Sequence, residues 1–354
     1  MSGTRRGLSS NDIARLAGVS QATVSRVLSG SARISEATRA KVMRVVEDVG
    51  YTPNAIAQAM RTRQSRTVGV AVSRVTNPVV PEILEAFGAR LSALGRRMVV
   101  WNTDSEGETA VIEAIRQGTI DGIMFTAASH QRTAIDEARA HRLPLTLFNR
   151  PLPEVDCDQI VSDNRNGART LARYLLSGGR RRIAYLSGPL DRTTLLERDR
   201  GFSDALAEAE QPLWQHCGAE KVFDQQRFRQ LAILLMQRAE RPDAIACGND
   251  MIAFAVLNGL ASLGVRVPED VWVAGFDGVA MSGWDLFDLT TMQQPWDVMA
   301  DAAVATLIDQ IDGNDSRAGI VRPEATLVVR GSTDHWHPPA QHHDKQQSPN
   351  GRNQ

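Results

Sequence analysis

Cysteine is scarce in this 354-residue chain. Its three copies, Cys157, Cys217 and Cys247, are odd in number and widely spaced. That argues against a disulfide scaffold and points to a reducing, cytoplasmic setting. No apolar run approaches the roughly 18 residues of a membrane helix. The opening Met-Ser-Gly-Thr-Arg-Arg-Gly leads into polar sequence rather than an apolar signal core, so no membrane is expected among its partners. Lysine is nearly missing: Lys41, Lys221 and Lys345 supply three of the 40 basic residues. Codon bias explains that as well as any function does, so single arginines are not read as phosphate ligands on this ground. Common enzyme signatures are absent too, with no G-x-x-x-x-G-K, G-x-G-x-x-G, H-E-x-x-H or G-x-S-x-G. His216 and Cys217 are neighbours in the chain, and adjacency alone makes no catalytic pair. The expectation is a protein that is not an enzyme and has no cofactor and no metal site. What remains is ordinary globular sequence, 42% apolar and 23% charged, long enough for two or three domains.

The formal net charge of −1 hides an asymmetry. Residues 1–66 hold eleven Arg and Lys against four Asp and Glu, a balance of +7. The remainder holds 29 bases against 37 acids, a balance of −8. A basic head on an acidic body suggests a polyanion-binding domain, although a solvated basic tail would show the same charge. The head reads as helices. Ser9-Ser10-Asn11-Asp12 offers capping side chains, and Ile13, Leu16 and Ala17 then fall on one face. Gly18 ends that helix and Ser20 can cap the next, whose stripe is Val24, Val27 and Leu28. Its opposite face carries Gln21, Ala22, Ser25, Arg26 and Ser29. Two short helices joined at a glycine match a helix-turn-helix, with the second laid in the major groove. A third helix starts at Ser35-Glu36, with stripe Val42, Val45, Val46, Val49, and stops at Gly50. An ordinary helical subdomain whose polar face meets only water fits the same pattern.

In Tyr51-Thr52-Pro53-Asn54-Ala55-Ile56-Ala57-Gln58-Ala59-Met60-Arg61, Thr52 can cap a helix that Pro53 begins. So short a helix is marginal alone in water and needs a partner to order it. Arg61, Arg63 and Arg66 follow, which suits a phosphate-rich partner, and a plain linker is the alternative.

The run Asp12-Ile13-Ala14-Arg15-Leu16-Ala17-Gly18-Val19-Ser20-Gln21-Ala22-Thr23-Val24-Ser25-Arg26-Val27-Leu28-Ser29, followed by Tyr51-Thr52-Pro53-Asn54-Ala55-Ile56-Ala57, resembles the head of the lactose/galactose-repressor family of bacterial transcription regulators. The resemblance implies that Gln21 and Ala22 read base edges and that Arg26 contacts a base. Arg paired to a guanine O6/N7 edge has a physical basis. It places Ser9, Ser10, Ser20, Thr23 and Ser25 near the DNA, mainly at phosphates. It further implies that 53–61 is a hinge helix, contributing Asn54, Ala57, Met60 and Arg61, that enters the minor groove as a pair and wedges the central step. Leu is usual at the wedge; here Met60 stands there, apolar and long enough but more flexible.

From residue 67 short apolar runs alternate with helical patterns, which means parallel sheets covered by helices, two of them on length. Ligands of such sheets bind at strand carboxyl ends. Polar residues recur there: Ser73 and Asn77, Asn102 and Asp104, Asn149 and Arg150, Asp163, Asn249 and Asp250, Asp277, and Gln293 and Gln294. Each alone is as readily a cap or turn residue. The family resemblance continues through Asn149-Arg150-Pro151, Asp163-Asn164, Arg198-Asp199-Arg200-Gly201-Phe202, Asn249-Asp250, Gly275-Phe276-Asp277 and Leu289-Thr290-Thr291-Met292-Gln293-Gln294-Pro295. These look like a periplasmic-binding-protein-like effector domain. The resemblance implies that Arg198, Asn249 and Asp277 bond the effector, with Asn149 beside them; Ser73, Asn77 and Asp163 are candidates from their place after strands. Gln294 and Trp296 would flank the pocket and Phe223 would stack on the ligand.

The expected organisation is an α/β chain with a helix-turn-helix head at 1–50, a hinge and linker at 51–66 and a two-lobed body at 67–334. Lobe 1 would hold about 67–163 and 295–322, and lobe 2 about 164–294 and 323–334. Residues 335–354 read as a disordered tail without leucine heptads. The expected partners are therefore a near-palindromic double-stranded operator, a small effector and a second copy of the chain in a homodimer. A sugar or sugar acid suits the Arg, amide and carboxylate set. A purine, a protein corepressor and a non-regulatory sugar-binding protein are the alternatives. Met60→Gly should weaken specific operator binding far more than non-specific binding in a gel-shift titration; equal losses would refute the wedge.

Overall fold

The computed structural model describes residues 8–28, 33–51, 64–104, 107–127, 131–217, 223–314 and 319–334. Asn54, Ala57, Met60 and Arg61, and the tail at 335–354, lie outside the described residues. The chain divides into two compact units, residues 1–67 with 119–121 and the remainder.

In the first unit α1 (Ser10–Ala17), α2 (Gln21–Leu28) and α3 (Glu36–Asp48) close a small core of Ile13, Ala14, Ala17, Val24, Val27 and Val42. Caps set the helix ends. The Ser9 hydroxyl accepts from the Asp12 N–H while the Asp12 carboxylate accepts from the Ser9 N–H at 3.0 Å. Gly18 leaves α1 at φ +60, returning its N–H to the Ala14 and Arg15 carbonyls. Ser20 accepts from the Thr23 N–H at 3.1 Å where α2 begins, and Ser35 caps α3. Two positions depart from the expected stripes. Leu16 is 54% exposed and Val49 37% exposed. The buried face of α1 runs through Ile13, Ala14 and Ala17, so Leu16 rotates outward.

The second unit holds two six-stranded sheets, among the described residues, that share one strand order. The first runs β11 (Ile320–Val321), β5 (Asp158–Ile160), β4 (Leu145–Phe148), β3 (Gly122–Phe125), β1 (Thr67–Val72), β2 (Arg97–Asn102). The second runs β12 (Thr326–Val328), β10 (Thr290–Gln293), β9 (Trp272–Asp277), β8 (Ala244–Cys247), β6 (Ile183–Leu186), β7 (Gln215–Cys217). Pairing is parallel from β1 through β3, β4 and β5 to β11, and from β7 through β6, β8 and β9 to β10; β12 lies antiparallel to β10. The helices are α4 (Val79–Ala93), α5 (Gly107–Arg116), α6 (Arg132–Ala140), α7 (Asn164–Ser177), α8 (Thr193–Glu208), α9 (Gln225–Met236), α10 (Asp250–Ser262) and α11 (Trp296–Ile311). The chain passes between the sheets after β5, after β10 and after β11, so neither lobe is a continuous stretch. Helices α7 and α8 meet so closely that a Cβ on Gly201 would lie 2.1 Å from the Arg165 carbonyl oxygen.

Strands β7 and β11 have no counterpart in the sequence reading. Gln215-His216-Cys217 offers no apolar run, and the two residues of β11 are too few for a pattern. On β7, His216 and Cys217 point to opposite faces. The His216 Nε2 meets the Asp199 carboxylate of α8 at 2.5 Å, while Cys217 packs beside the core. The hydrogen bond to Asp199 raises the His216 pKa above its ordinary 6.5. That stabilisation is full below pH 6.5 and is lost as pH rises through the higher folded-state value. The pair is partly exposed, so its worth is under about 1 kcal/mol. Asp199→Asn should therefore lower Tm by roughly 1–3 °C at pH 5.5 and by less at pH 9, read by calorimetry.

Candidate functional site

On the head, Gln21, Ala22, Arg26 and Ser20 are exposed along one side of α2, with Thr23 and Ser25 half-buried. Ser10 accepts from the Gln21 side-chain amide at 3.3 Å and so steadies it, while the Ser9 hydroxyl is engaged in the α1 cap. The small core fixes α2 and leaves this polar side outward. It combines amide, methyl and guanidinium groups suited to base edges.

In the body, strand order reverses between β1 and β3 and again between β6 and β8, which is where open α/β sheets hold ligands. Arg198 of α8 is the centre of the second lobe's site. Its Nε donates to Asn164 Oδ1 at 2.7 Å, its Nη1 to the Gly248 carbonyl at 2.8 Å, and its Nη2 pairs with Asp277 Oδ1 at 2.9 Å. The guanidinium lies 3.8 Å from the Phe276 ring centroid. Gln294 donates to the same Asp277 oxygen at 2.7 Å. Arg198, Asp277 and Gln294 are thus one buried, hydrogen-bonded cluster.

A second carboxylate backs it. Asp250 accepts from the Thr291 hydroxyl at 2.6 Å and from the Gly278 and Val279 N–H groups at 2.9 and 3.0 Å. Gly275 makes room, since a Cβ there would lie 2.3 Å from Asp250 Oδ1. Burial pushes the Asp250 carboxyl up and Asp277 adds repulsion; the bonds from Thr291 and the two amides oppose this. Burial also raises Asp277, against the pull of Arg198 and Gln294. Three of the seven non-glycine residues with positive φ among the described residues stand at these strand ends. Arg74, Asn149 and Asp277, each at a strand carboxyl end, have φ +54, +68 and +128.

The two lobes' strand ends face each other. Arg150, which follows β4, lies within electrostatic reach of Arg192, Arg198 and Asp277 of the second lobe. Between them are buried polar atoms without a hydrogen-bond partner: Asn149 Oδ1, Arg150 Nε and Nη1, Gln294 Oε1 and Trp296 Nε1. Each such atom costs about 1–3 kcal/mol unless something completes it. The Trp296 ring lies 6.3 Å from Phe148, and Arg74 sits over the Phe223 ring at 4.6 Å. Ser73 is buried after β1. Other expected ligand residues have bonds that serve the fold. Asn77 Oδ1 accepts from the Val79 N–H at 3.2 Å, Asp163 caps α7 through Asn166, and Asn249 caps α10 through the Ile252 N–H at 2.9 Å. The sequence reading misses Arg74, Arg192 and Asn164 as site residues. Arg74 directly follows Ser73, a usable signal; Arg192 and Asn164 give none.

A hollow lined by Arg139, Arg142, Cys157 and Gln310 lies at the opposite, amino-terminal ends of β4 and β5 and carries none of these residues. Among the described residues no group of three or more His, Cys, Asp or Glu is placed to hold a metal, and no helix is long and apolar enough to cross a membrane.

Residues 11–54 match bacterial regulatory proteins of the lacI family, and residues 172–333 match a periplasmic binding protein-like domain. The HTH-type transcriptional regulator DegA of Bacillus subtilis is 32% identical over 328 residues, covering 91% of this chain and 97% of that one. This chain belongs to the lacI family. The transcriptional repressor PurR of Photobacterium profundum is 27% identical over 324 residues, with 91% and 97% covered. The fold is that of the Lac repressor dimer solved bound to operator and the anti-inducer ONPF, with a TM-score of 0.81, 24% identity, and 93% of this chain and 99% of that one covered. A lacI-family regulator carries a DNA-binding domain before its ligand-binding body, which is the order found here. Replacing Arg26 by Ala should cost about 1–3 kcal/mol of operator affinity and relax preference at one base per half-site, measured by selection from random DNA.

Proposed function

We propose that this lacI-family regulator is a homodimeric repressor. Its heads, residues 1–50, read the two halves of a near-palindromic operator through Gln21, Ala22 and Arg26, with Ser9, Ser10, Ser20, Thr23 and Ser25 close to the backbone. Segment 51–66 binds at the centre through Asn54, Ala57, Met60 and Arg61. The body, residues 67–334, holds a small effector between its lobes and sets the strength of that grip.

The observation that carries the effector reading is the buried Arg198–Asp277–Gln294 cluster facing Asn149 and Arg150 across the cleft, with acceptors and donors left to complete. A guanidinium fork, a carboxylate and amides at this spacing suit a polyhydroxylated ring, with Trp296 and Phe223 as apolar flanks. A sugar or sugar acid is the effector favoured by that chemistry. The likeness to PurR favours a purine as the second reading. Closing the lobes around a ligand would shift the surfaces that pair two copies, and a marginal hinge helix would form or melt in response. Pairing itself is supported by exposed apolar side chains. Val99 and Val100 lie on the edge strand β2 at 38% and 40% exposure, and Trp284 and Leu286 are at 55% and 84%.

The test is a selection from random DNA with purified protein, repeated with sugars, sugar acids and purines. Recovery of a two-fold symmetric site whose affinity changes with one ligand class is the expected result; no sequence preference with any ligand would remove the function. Asp277→Asn keeps an oxygen for Arg198 and Gln294 but loses the charge. It should bind operator like the parent protein while needing at least about tenfold more effector for the same response, since one charge-assisted bond is lost. A full response would take Asp277 out of the pocket.

A further inference from the structure

We infer that the effector carries an anionic group, a carboxylate or a phosphate, gripped by Arg150 from the first lobe and by Arg192 with the amino terminus of α8 from the second. This rests on the reading of the cleft as the effector site and narrows it to a ligand class.

Arg150 is the main ground. It follows β4 with Asn149, and its Nε and Nη1 reach neither solvent nor any hydrogen-bond partner. A guanidinium presents a fixed fork of donors, and leaving two of them buried and empty is costly unless an acceptor completes them. The surroundings add more positive charge. Burial together with Arg192, Arg74 and Arg198 brings Arg150 down to about 10, and burial with Arg192 brings Arg74 down to about 10. These guanidiniums repel one another in a poorly solvated space.

The acids facing the group offset it only in part. Asp277, within reach of Arg150, is paired with Arg198. Asp104 attracts Arg74 and Arg192, and Asp191 attracts Arg150 and Arg192, but both carboxylates are exposed to water. Among the described residues no ion pair joins a carboxylate to the guanidinium of Arg74, Arg150 or Arg192.

The second lobe offers a matching feature. Helix α8 begins after Arg192 with no side chain capping its amides and no acid in its first turn, and Thr193 Oγ1 is buried without a partner. Free amides at a helix start, a hydroxyl and two arginines form a receptor for oxyanions. A neutral sugar would fill hydrogen bonds here but leave the repulsion in place. An anion replaces it with attraction from both lobes, so binding and lobe closure become one event. A neutral purine lacks the charge.

The experiment measures Tm of the full chain at constant ionic strength: in sodium chloride alone, with 20 mM inorganic phosphate or sodium acetate in place of an equivalent amount of chloride salt, and with 20 mM D-glucose added to the full sodium chloride. The parent protein should melt about 3 °C higher with phosphate or with acetate than with D-glucose; which anion does so assigns the phosphate or the carboxylate. Arg150→Met should lose that rise and, relieved of repulsion, melt no lower than the parent in chloride. Arg192→Gln, nearer the surface, should reduce the rise. No anion effect in the parent, an effect kept by Arg150→Met, or a lower Tm for Arg150→Met in chloride would each overturn the inference. A neutral sugar that changes operator affinity equally in the parent and in Arg150→Met would also overturn it, while leaving the effector cleft intact.

Discussion

A buried arginine organises the body of this protein. Arg198 sits on α8 beneath the strand ends of the second sheet, where a bare charge would be strongly disfavoured. Asn164, the Gly248 carbonyl and Asp277 satisfy it from α7, the β8 end and β9, so one side chain joins three elements. Removing one partner of such a pair costs about 3–5 kcal/mol. The neighbouring constraints follow from it. Gly275 is bare because Asp250 fills the space beside Asp277, and Gly201 is bare because α8, which carries Arg198, presses against α7. Asp277 itself is held at φ +128, strain that the bonds from Arg198 and Gln294 maintain.

The first lobe shows the opposite electrostatic design. Arg150 and Arg74 are charged and crowded, and Arg150 is short of acceptors, whereas Arg198 has its acceptors at hand. A cleft with one saturated face and one unsaturated face is strong in one state and incomplete in another. That difference is what a ligand needs in order to shift an equilibrium between arrangements. The chain crosses between the lobes three times, after β5, β10 and β11, so each core is built from separate stretches of sequence.

The head solves a different problem. Its core has six buried apolar residues, three of them in α1, and isolated helices of eight residues are weak. Side-chain caps at Ser9, Ser20 and Ser35 and left-handed glycines at 18 and 50 compensate at the ends. The same economy leaves one side of α2 polar and outward, the side that a major-groove reader turns toward base edges.

Much of this is legible in the residues. Caps and stops act over three or four positions, so Ser9, Gly18, Ser35 and Gly50 can be read directly, and the alternation of apolar runs with helical stripes implies two parallel sheets. The resemblance singles out Arg198, Asp277 and Gln294, which the structure bonds together. Leu16 departs from its expected burial because a stripe gives a face but not which neighbour covers it. Strand β7 escapes because Gln215-His216-Cys217 is polar at its start and offers no apolar run, and β11 because two residues carry no period. Asn77, Asp163 and Asn249 read as ligand groups in the sequence; Asp163 and Asn249 cap helices with one oxygen each, and Asn77 accepts from the Val79 N–H in the turn before α4. Sequence by itself determined the local elements, the order of domains and the chemistry offered at each strand end, because those depend on near neighbours. Only the tertiary structure decided that Arg74, Arg150 and Arg192, from loops far apart in the chain, crowd together around the unpartnered donors of Arg150. Electrostatic energy depends on distance in space and on exclusion of water, and neither is written along a chain.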